Sequence, residues 1–219
     1  MHVYYLAFGF YVEVVLKSRF NKMNFIVQNF ITDKSSPKFQ DIPIEYALLS
    51  TKLGLLHIAH NQFGICHLCF HKNQHESIDQ LKCTWPDSPI KNTHLSDNLK
   101  HRILQFIDHL LIKPRLKTTP KKKLKIVLRG TNFQIQTWRQ LIKIPFGTTS
   151  NYNQIANDLG KPKASRAIAN AIARNPIAIL IPCHRVIHKD GRLGGYRWGI
   201  ENKSNLLKWE NVKQSKTII

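Results

Sequence analysis

Residues 181 to 186, Ile-Pro-Cys-His-Arg-Val, set a thiol between a proline and a histidine at the end of an apolar run, Ile177 to Ile181. A cysteine reacts as thiolate, and the thiolate needs a neighbouring base or a positive field. His184 can be that base, Arg185 can supply the field, and Pro182 stiffens the backbone ahead of the sulfur. The same residues also fit a buried structural cysteine at a strand end, because free cysteine is among the most buried residue types. The sequence on either side bears on the choice.

Upstream, Ser150 or Asn151 can cap a helix with Ile155, Ala156 and Leu159 on one face, and Gly160 suits the left-handed position that ends it. Lys161-Pro162 restarts the chain, and Lys163 to Arg174 reads as a second helix stopped by Asn175-Pro176. Two short helices joined by a tight glycine turn form a helix-turn-helix pattern. Ala164, Ala167, Ala169, Ala171 and Ala173 dominate the second helix, leaving few long side chains to read base edges in a major groove. Small side chains suit close approach to a minor groove, about 6 Å wide. Arg166 stands among these alanines and either enters a base stack as a wedge or lies on a solvated face.

Downstream, Asp190-Gly191 marks a tight turn between Val186-Ile187 and Leu193-Gly194-Gly195-Tyr196. The glycines let backbone approach a ligand, and Tyr196 offers a flat face for stacking a base. Ile200 to Glu210 has the pattern of an amphipathic helix, with Leu206, Leu207 and Trp209 among its apolar positions. Glu210 can fold back to orient His184, which completes a Cys–His–carboxylate relay.

The run Pro-Cys-His-Arg-Val resembles the signature of the O6-alkylguanine-DNA alkyltransferases, the methylated-DNA–protein-cysteine methyltransferases. The resemblance extends from Thr131 to Glu210 and is nearest in wording to the alkyltransferase half of the bacterial adaptive-response protein. It takes in Phe133-Gln134, Trp138, Ile144 to Gly147, Tyr152, Gly160 to Ala164, Arg166-Ala167, Asn175, Ile179 to Val186, Asp190-Gly191 and Gly195 to Gly199. It implies an α+β chain: a small ribonuclease-H-like α/β N-terminal domain, then a winged-helix-like helix-turn-helix domain carrying the active cysteine. It also implies direct repair of double-stranded DNA containing O6-alkylguanine, with O4-alkylthymine as a further candidate, by one irreversible transfer to Cys183. His184 would take the thiol proton through a water, Glu210 would hold His184, Asn175 would tie the helix end to the active-site loop, and Tyr152 would donate a proton to the guanine ring. Lys163, Ala164, Arg166 and Ala167 would face DNA, with Arg166 filling the gap left by the flipped base. Ile172, Val186, Gly194, Tyr196 and the backbone at Arg197 would line the base pocket. The resemblance implies no cofactor and a monomer in the cytoplasm.

The chain has 219 residues, a formal net charge of +20 and a pI near 10.0, which points to a polyanion partner. The four cysteines, at 66, 69, 83 and 183, do not form a secreted-type framework. No apolar run is long enough to span a bilayer, so no membrane is expected. Four segments are expected: an extension at 1–41 of unknown structure, the N-terminal domain at 42–123, the DNA-binding and transferase domain at 124–213, and a tail at 214–219. Within the second, Ile44 to Ser50, Gly54 to His60 and Phe63 to Phe70 read as strands, and Leu95 to Leu111 as a helix capped by Ser96. Lys121-Lys122-Lys123 reads as a solvated linker before an edge strand, Leu124 to Leu128. Cys66-His-Leu-Cys69, followed by His71, His75 and Cys83, has zinc-ligand residue types. On a strand, however, Cys66 and Cys69 point to opposite faces, so no metal is assigned.

Two other functions fit parts of the chain. A damage-binding module would recruit repair proteins without transferring anything, and the Cys183, His184 and Glu210 set argues against it. A transcription factor would read the major groove, which the alanine-rich helix disfavours.

Overall fold

The computed structural model describes residues 6–8, 11–16, 25–31, 42–112 and 124–210. In chain order the strands and helices are β1 (Leu6–Phe8), β2 (Tyr11–Leu16), β3 (Phe25–Ile31), β4 (Ile44–Thr51), β5 (Gly54–Asn61), β6 (Gly64–Phe70), α1 (Gln74–Thr84), β7 (Ile90–Asn92), α2 (Asp97–Ile112), β8 (Leu124–Gly130), α3 (Asn132–Lys143), β9 (Ser150–Asn151), α4 (Tyr152–Asp158), α5 (Ser165–Ala173), β10 (Val186–Ile187) and α6 (Ile200–Trp209). A 3₁₀ turn, Cys183–Arg185, precedes β10. The architecture is α+β.

One eight-stranded sheet runs in the order β1-β2-β3-β8-β6-β5-β4-β7. The expected strands of the 42–70 region form as the antiparallel set β4-β5-β6, each within a residue of its predicted ends. β8 pairs in parallel with both β3 and β6, so the edge position expected for Leu124 to Leu128 is incorrect. Ile126, Val127 and Leu128 are all fully buried, the continuous apolar run of an interior parallel strand covered on both faces. The sheet also draws on segments to either side of 42–123. The 1–41 extension contributes β1, β2 and β3 to the sheet, and the cut between 123 and 124 falls ahead of a strand that belongs to the N-terminal sheet. Lys121-Lys122-Lys123 lie outside the described residues.

α2 buries Ile103, Phe106 and Ile107, and Ser96 Oγ accepts from Leu99 N at 3.3 Å, as its capping role requires. Beyond β8, Thr131 and Gln134 form a capping box that starts α3. Trp138 on α3 is buried and donates its indole N–H to the Ala171 carbonyl of α5 at 2.8 Å, which locks the two helices. Asn151 caps α4 by accepting from Gln154 N at 3.0 Å. Gly160 follows at φ +69°, the left-handed conformation expected of it. The second helix starts at Ser165, later than the predicted Lys163, because Pro162 and Lys163 are spent in a turn. On α6 the inward positions are Lys203, Leu206 and Leu207, with Glu210 at the C-cap; Trp209, expected on the apolar face, is 37% exposed. Among the described residues no helix is long and apolar enough to cross a membrane.

The two halves meet through backbone. Leu68 of β6 and Ile177 form a parallel bridge, with Leu68 N donating to Pro176 O at 3.1 Å and Ala178 N to Leu68 O at 2.7 Å. The stretch leading to Cys183 is thereby anchored to β6 at Ile177 by an isolated bridge.

Candidate functional site

Cys183 opens the 3₁₀ turn with its thiol buried at 4% exposure. The turn is held on two sides. Behind it, the Leu68–Ile177 bridge fixes the incoming chain, and Ile179 adopts φ +67°, a conformation costly for a β-branched residue. Ahead of it, β10 pairs in parallel with β9, registering Val186 with Ser150 and Ile187 with Asn151. Tyr152 follows directly on β9, so this two-residue ladder sets its distance from the thiol.

Asn175 is fully buried between the end of α5 and the cysteine turn. Its Nδ2 donates to Ile181 O at 3.0 Å, Ile177 O at 3.3 Å and Cys183 Sγ at 3.1 Å, while its Oδ1 accepts from Ile177 N at 3.0 Å. Burial pushes the Cys183 thiol up to about 11, and the Asn175 amide and the Lys203 ammonium pull against that rise. The Tyr196 hydroxyl lies beside the sulfur without a hydrogen bond of normal geometry, and burial holds its phenol well above the usual tyrosine value.

His184 is fully buried and its Nε2 lies 2.9 Å from Glu210 Oε1. A carboxylate accepts only, so Nε2 carries the proton and Nδ1 keeps its lone pair. Nδ1 has no hydrogen-bond partner. Burial lowers the His184 imidazole, with Glu210 opposing, so the ring is neutral at pH 7. Burial alone would raise the Glu210 carboxyl, but His184 and Arg185 outweigh it and bring it down to about 2.

Arg185 does not serve the thiol as expected. It is fully buried, with Nε donating to Glu210 Oε2 at 2.9 Å, Nη2 to Oε1 at 2.9 Å and Nη1 to Ile144 O at 2.7 Å. A bidentate carboxylate consumes its charge, so Arg185 positions Glu210. Lys203 supplies the field instead. It is buried on α6, donates to the carbonyls of Val186 (2.7 Å) and Leu193, and burial brings its ammonium down to about 8. Sequence reasoning missed Lys203, although the spacing carried a signal: Lys203, Leu206, Leu207 and Glu210 recur as i, i+3, i+4 and i+7 on one helical face.

The sulfur faces a cavity of about 320 Å³ lined by Tyr152, Ala169, Ile172, Ala173, Cys183, Gly195, Tyr196 and Arg197. Of the expected pocket residues, Ile172, Tyr196 and Arg197 are there. Val186 is not; it is fully buried behind the turn, paired with Ser150. Gly194 gives way to Gly195 in the lining, but a side chain at Gly194 (φ +67°) would meet His188 Nε2 at 2.9 Å and the Tyr152 hydroxyl at 3.2 Å. Ala169 and Ala173, one turn apart on α5, are lining residues that the sequence did not single out. Burial raises the Tyr152 phenol and Cys183 adds to the rise, so it keeps its proton at neutral pH.

Lys163, Arg166 and Ala167 are exposed at the start of α5, and Ala164 is half-buried at its N-cap with no side-chain capping bond. The N–H groups of that first turn are therefore available to an anion.

Residues 132–212 match the family described as 6-O-methylguanine DNA methyltransferase, DNA binding domain. The chain is 38% identical over 173 residues to the bifunctional transcriptional activator/DNA repair enzyme Ada of Escherichia coli, covering 78% of this chain and 46% of that protein. It is 36% identical over 165 residues to the methylated-DNA–protein-cysteine methyltransferase of Methanosarcina barkeri, covering 75% and 96%. It thus spans about half of the Escherichia coli and Salmonella typhimurium Ada proteins and nearly all of the archaeal relative. Among solved structures, Mycobacterium tuberculosis OGT in complex with DNA superposes with a TM-score of 0.60 at 28% identity, over 76% of this chain and 92% of that one.

Proposed function

This chain belongs to the methylated-DNA–protein-cysteine methyltransferases, and from that membership we propose that it repairs double-stranded DNA by moving the alkyl group of O6-alkylguanine to Cys183. The observation that carries the proposal is one buried network: Asn175 on the Cys183 sulfur at 3.1 Å, and His184 on Glu210 at 2.9 Å, behind a cavity beneath the second helix of a helix-turn-helix.

Each part has a role. Arg166 enters the stack from the minor groove and offsets part of the unstacking cost, a few kcal/mol, of flipping the base. Lys163, Ala164 and Ala167 hold the backbone nearby. The flipped base stacks in the cavity of about 320 Å³, between Ile172 and the Tyr196–Arg197 segment. The Cys183 proton passes through one water to Nδ1 of His184, the buried nitrogen that has no protein partner. The sulfur attacks the alkyl carbon, the C–S bond forms, and the C–O6 bond breaks with its electron pair on oxygen. Tyr152 gives its proton to the guanine ring and regains one from solvent. At a resting value of about 11 only about one thiol in ten thousand is ionised at pH 7, so proton removal is coupled to attack. The product is a thioether, which does not hydrolyse, so each molecule reacts once. No cofactor enters the scheme.

In this reading the strands from β3 to β8 make a ribonuclease-H-like domain that ends near Gly130, and α3 to α6 with the β9–β10 ladder make a winged-helix-like domain. The protein acts as a monomer in the cytoplasm.

The test is intact mass after incubation with excess O6-methylguanine duplex, and with an O4-methylthymine duplex alongside. The expected result is one methyl group per chain, on the peptide holding Cys183. An unmodified protein that still binds the lesion would replace this reading with that of a damage-binding module.

A further inference from the structure

A second buried polar group lies in the sheet, away from Cys183. His57 on β5 stands directly opposite Cys69 on β6, and Ala59, two residues along, stands opposite His67. Residues two apart on a strand share a face, so the register brings both imidazoles and the thiol together. Their ligand atoms all lie within 4.8 Å of one another, and all three side chains are buried. The ring nitrogens of His57 and His67 make no hydrogen bond. The rings touch edge to face with centroids 5.5 Å apart.

Unpaired ring nitrogens so deep in a protein are rare, and each one needs an explanation. Apolar packing does not supply it, since leucine would fill the same space without the desolvation cost. Burial lowers His57 to about 4 and His67 to about 3, so both rings are neutral with a lone pair to offer. We propose that His57, His67 and Cys69 bind one zinc-class cation, a structural site separate from the transfer chemistry.

Two imidazoles and a thiolate are the donor set of a borderline-soft ion. Bonds of about 2.0–2.3 Å put the donors of a tetrahedral zinc roughly 3.3–3.8 Å apart, within rotamer adjustment of the observed spacing. Cys69 would bind as thiolate, releasing its proton to solvent. Its sulfur now lies 3.8 Å from Ser77 Oγ, which is also 3.2 Å from His71 Nδ1. The fourth position falls to water or to His71, whose ring stacks on His57 at 6.5 Å. Cys66 and Cys69, the pair whose spacing suggested zinc, fall in different apolar clusters, and Cys66 is not one of the three donors. The site sits on the strand whose Leu68 holds Ile177, so an ion there braces the backbone that presents Cys183.

The test is a titration of the full-length, chelator-treated protein with Co²⁺ and then Zn²⁺. The expected result is one equivalent of Co²⁺ with a thiolate-to-cobalt charge-transfer band and tetrahedral d–d bands, all displaced by Zn²⁺. Zn²⁺ should also raise the melting temperature in a concentration-dependent way. Cys69→Ala should remove the charge-transfer band, and His67→Gln should weaken binding at least tenfold, while Cys66→Ala and Cys83→Ala bind as the parent does. If the folded parent protein takes up no stoichiometric Co²⁺ or Zn²⁺, the proposal is overturned whatever the variants do. A band that survives Cys69→Ala and disappears in Cys183→Ala overturns it equally, by placing the ion at the other thiol.

Discussion

Cys66 in the sheet and Cys183 at the end of the helix-turn-helix are both buried thiols, yet their surroundings differ in kind. Around Cys66 stand Ile44, Tyr46, Ala59, Leu81, Trp85 and Val127, and burial drives its thiol far above the usual cysteine range. Around Cys183 stand the Asn175 amide, the Lys203 ammonium and the Tyr196 phenol, and the rise stops at about 11. Burial by itself makes a cysteine inert. A buried cysteine becomes usable when fixed donors replace the water it lost, and those donors come here from three places: the end of α5, α6, and the loop after Gly195.

The sharpest break of that comparison is to remove each sulfur in turn. Cys183→Ala should abolish alkyl transfer completely while duplex affinity stays within a few-fold, since the α5 surface is untouched. Cys66→Ala should leave transfer unchanged and cost about 1 kcal/mol in stability from a small cavity. A methylated duplex and mass spectrometry read the first, chemical denaturation the second. Transfer that persists in Cys183→Ala would place the acceptor elsewhere.

Next in size is Glu210→Gln. It leaves the Arg185 guanidinium buried without its carboxylate, and losing one partner of a buried pair costs about 3–5 kcal/mol. Transfer should also slow, because His184 loses the acceptor that fixes its tautomer. Unfolding curves and single-turnover rates on the same preparation separate the two effects, and an unmodified transfer rate would remove Glu210 from the relay.

Acid separates the two regions by pH window. His57 and His67 are lowered in the folded state, so the unfolded chain binds more protons below about pH 6.5 and stability falls as pH drops toward their folded values of about 4 and about 3. His184, also lowered, adds to the same fall. Glu210 adds a later loss, beginning near pH 4 and running down toward about 2. Metal-free protein should therefore lose stability steadily between pH 7 and pH 4, with the two sheet imidazoles contributing to that loss. A double His57→Leu, His67→Leu variant should flatten that window only. If the slope is unchanged, those imidazoles are not the groups that titrate.

Smallest is Arg166→Ala. Repair of duplex should slow by about tenfold, against little change for the free base O6-benzylguanine, which needs no flipping. Equal loss on both substrates would make Arg166 a support of the fold and not a wedge.

The C-terminal half was the more legible in sequence, for physical reasons. Asn151, Gly160 and Glu210 act through local rules of capping, φ and helical spacing, which a one-dimensional reading can apply. Lys203 was missed because a lysine among leucines reads as a solvated residue until its carbonyl partners, Val186 and Leu193, come from another segment. Arg185 was misassigned for the same reason: beside a cysteine it looks like a source of field, and only the fold shows it clasped by Glu210. In the sheet the three hairpin-connected strands were legible, but the parallel pairings of β8 with β3 and β6 were not. The His57–His67–Cys69 group depends on cross-strand register, which spacing along one strand does not reveal.

The bridge between Leu68 and Ile177 bears on how the molecule assembles in time. Its partners are far apart in the chain, so closing it waits on loop entropy, and contacts of that kind form slowly. The hairpins β4-β5-β6 can precede it; the Cys183 turn cannot be complete until β6 exists to receive residues 176–178. During synthesis the reactive thiol is thus among the last features to mature, after the sheet that backs it. A fragment that begins after β8 would retain every side chain of the alkyl-transfer proposal and lack the template against which its backbone sets.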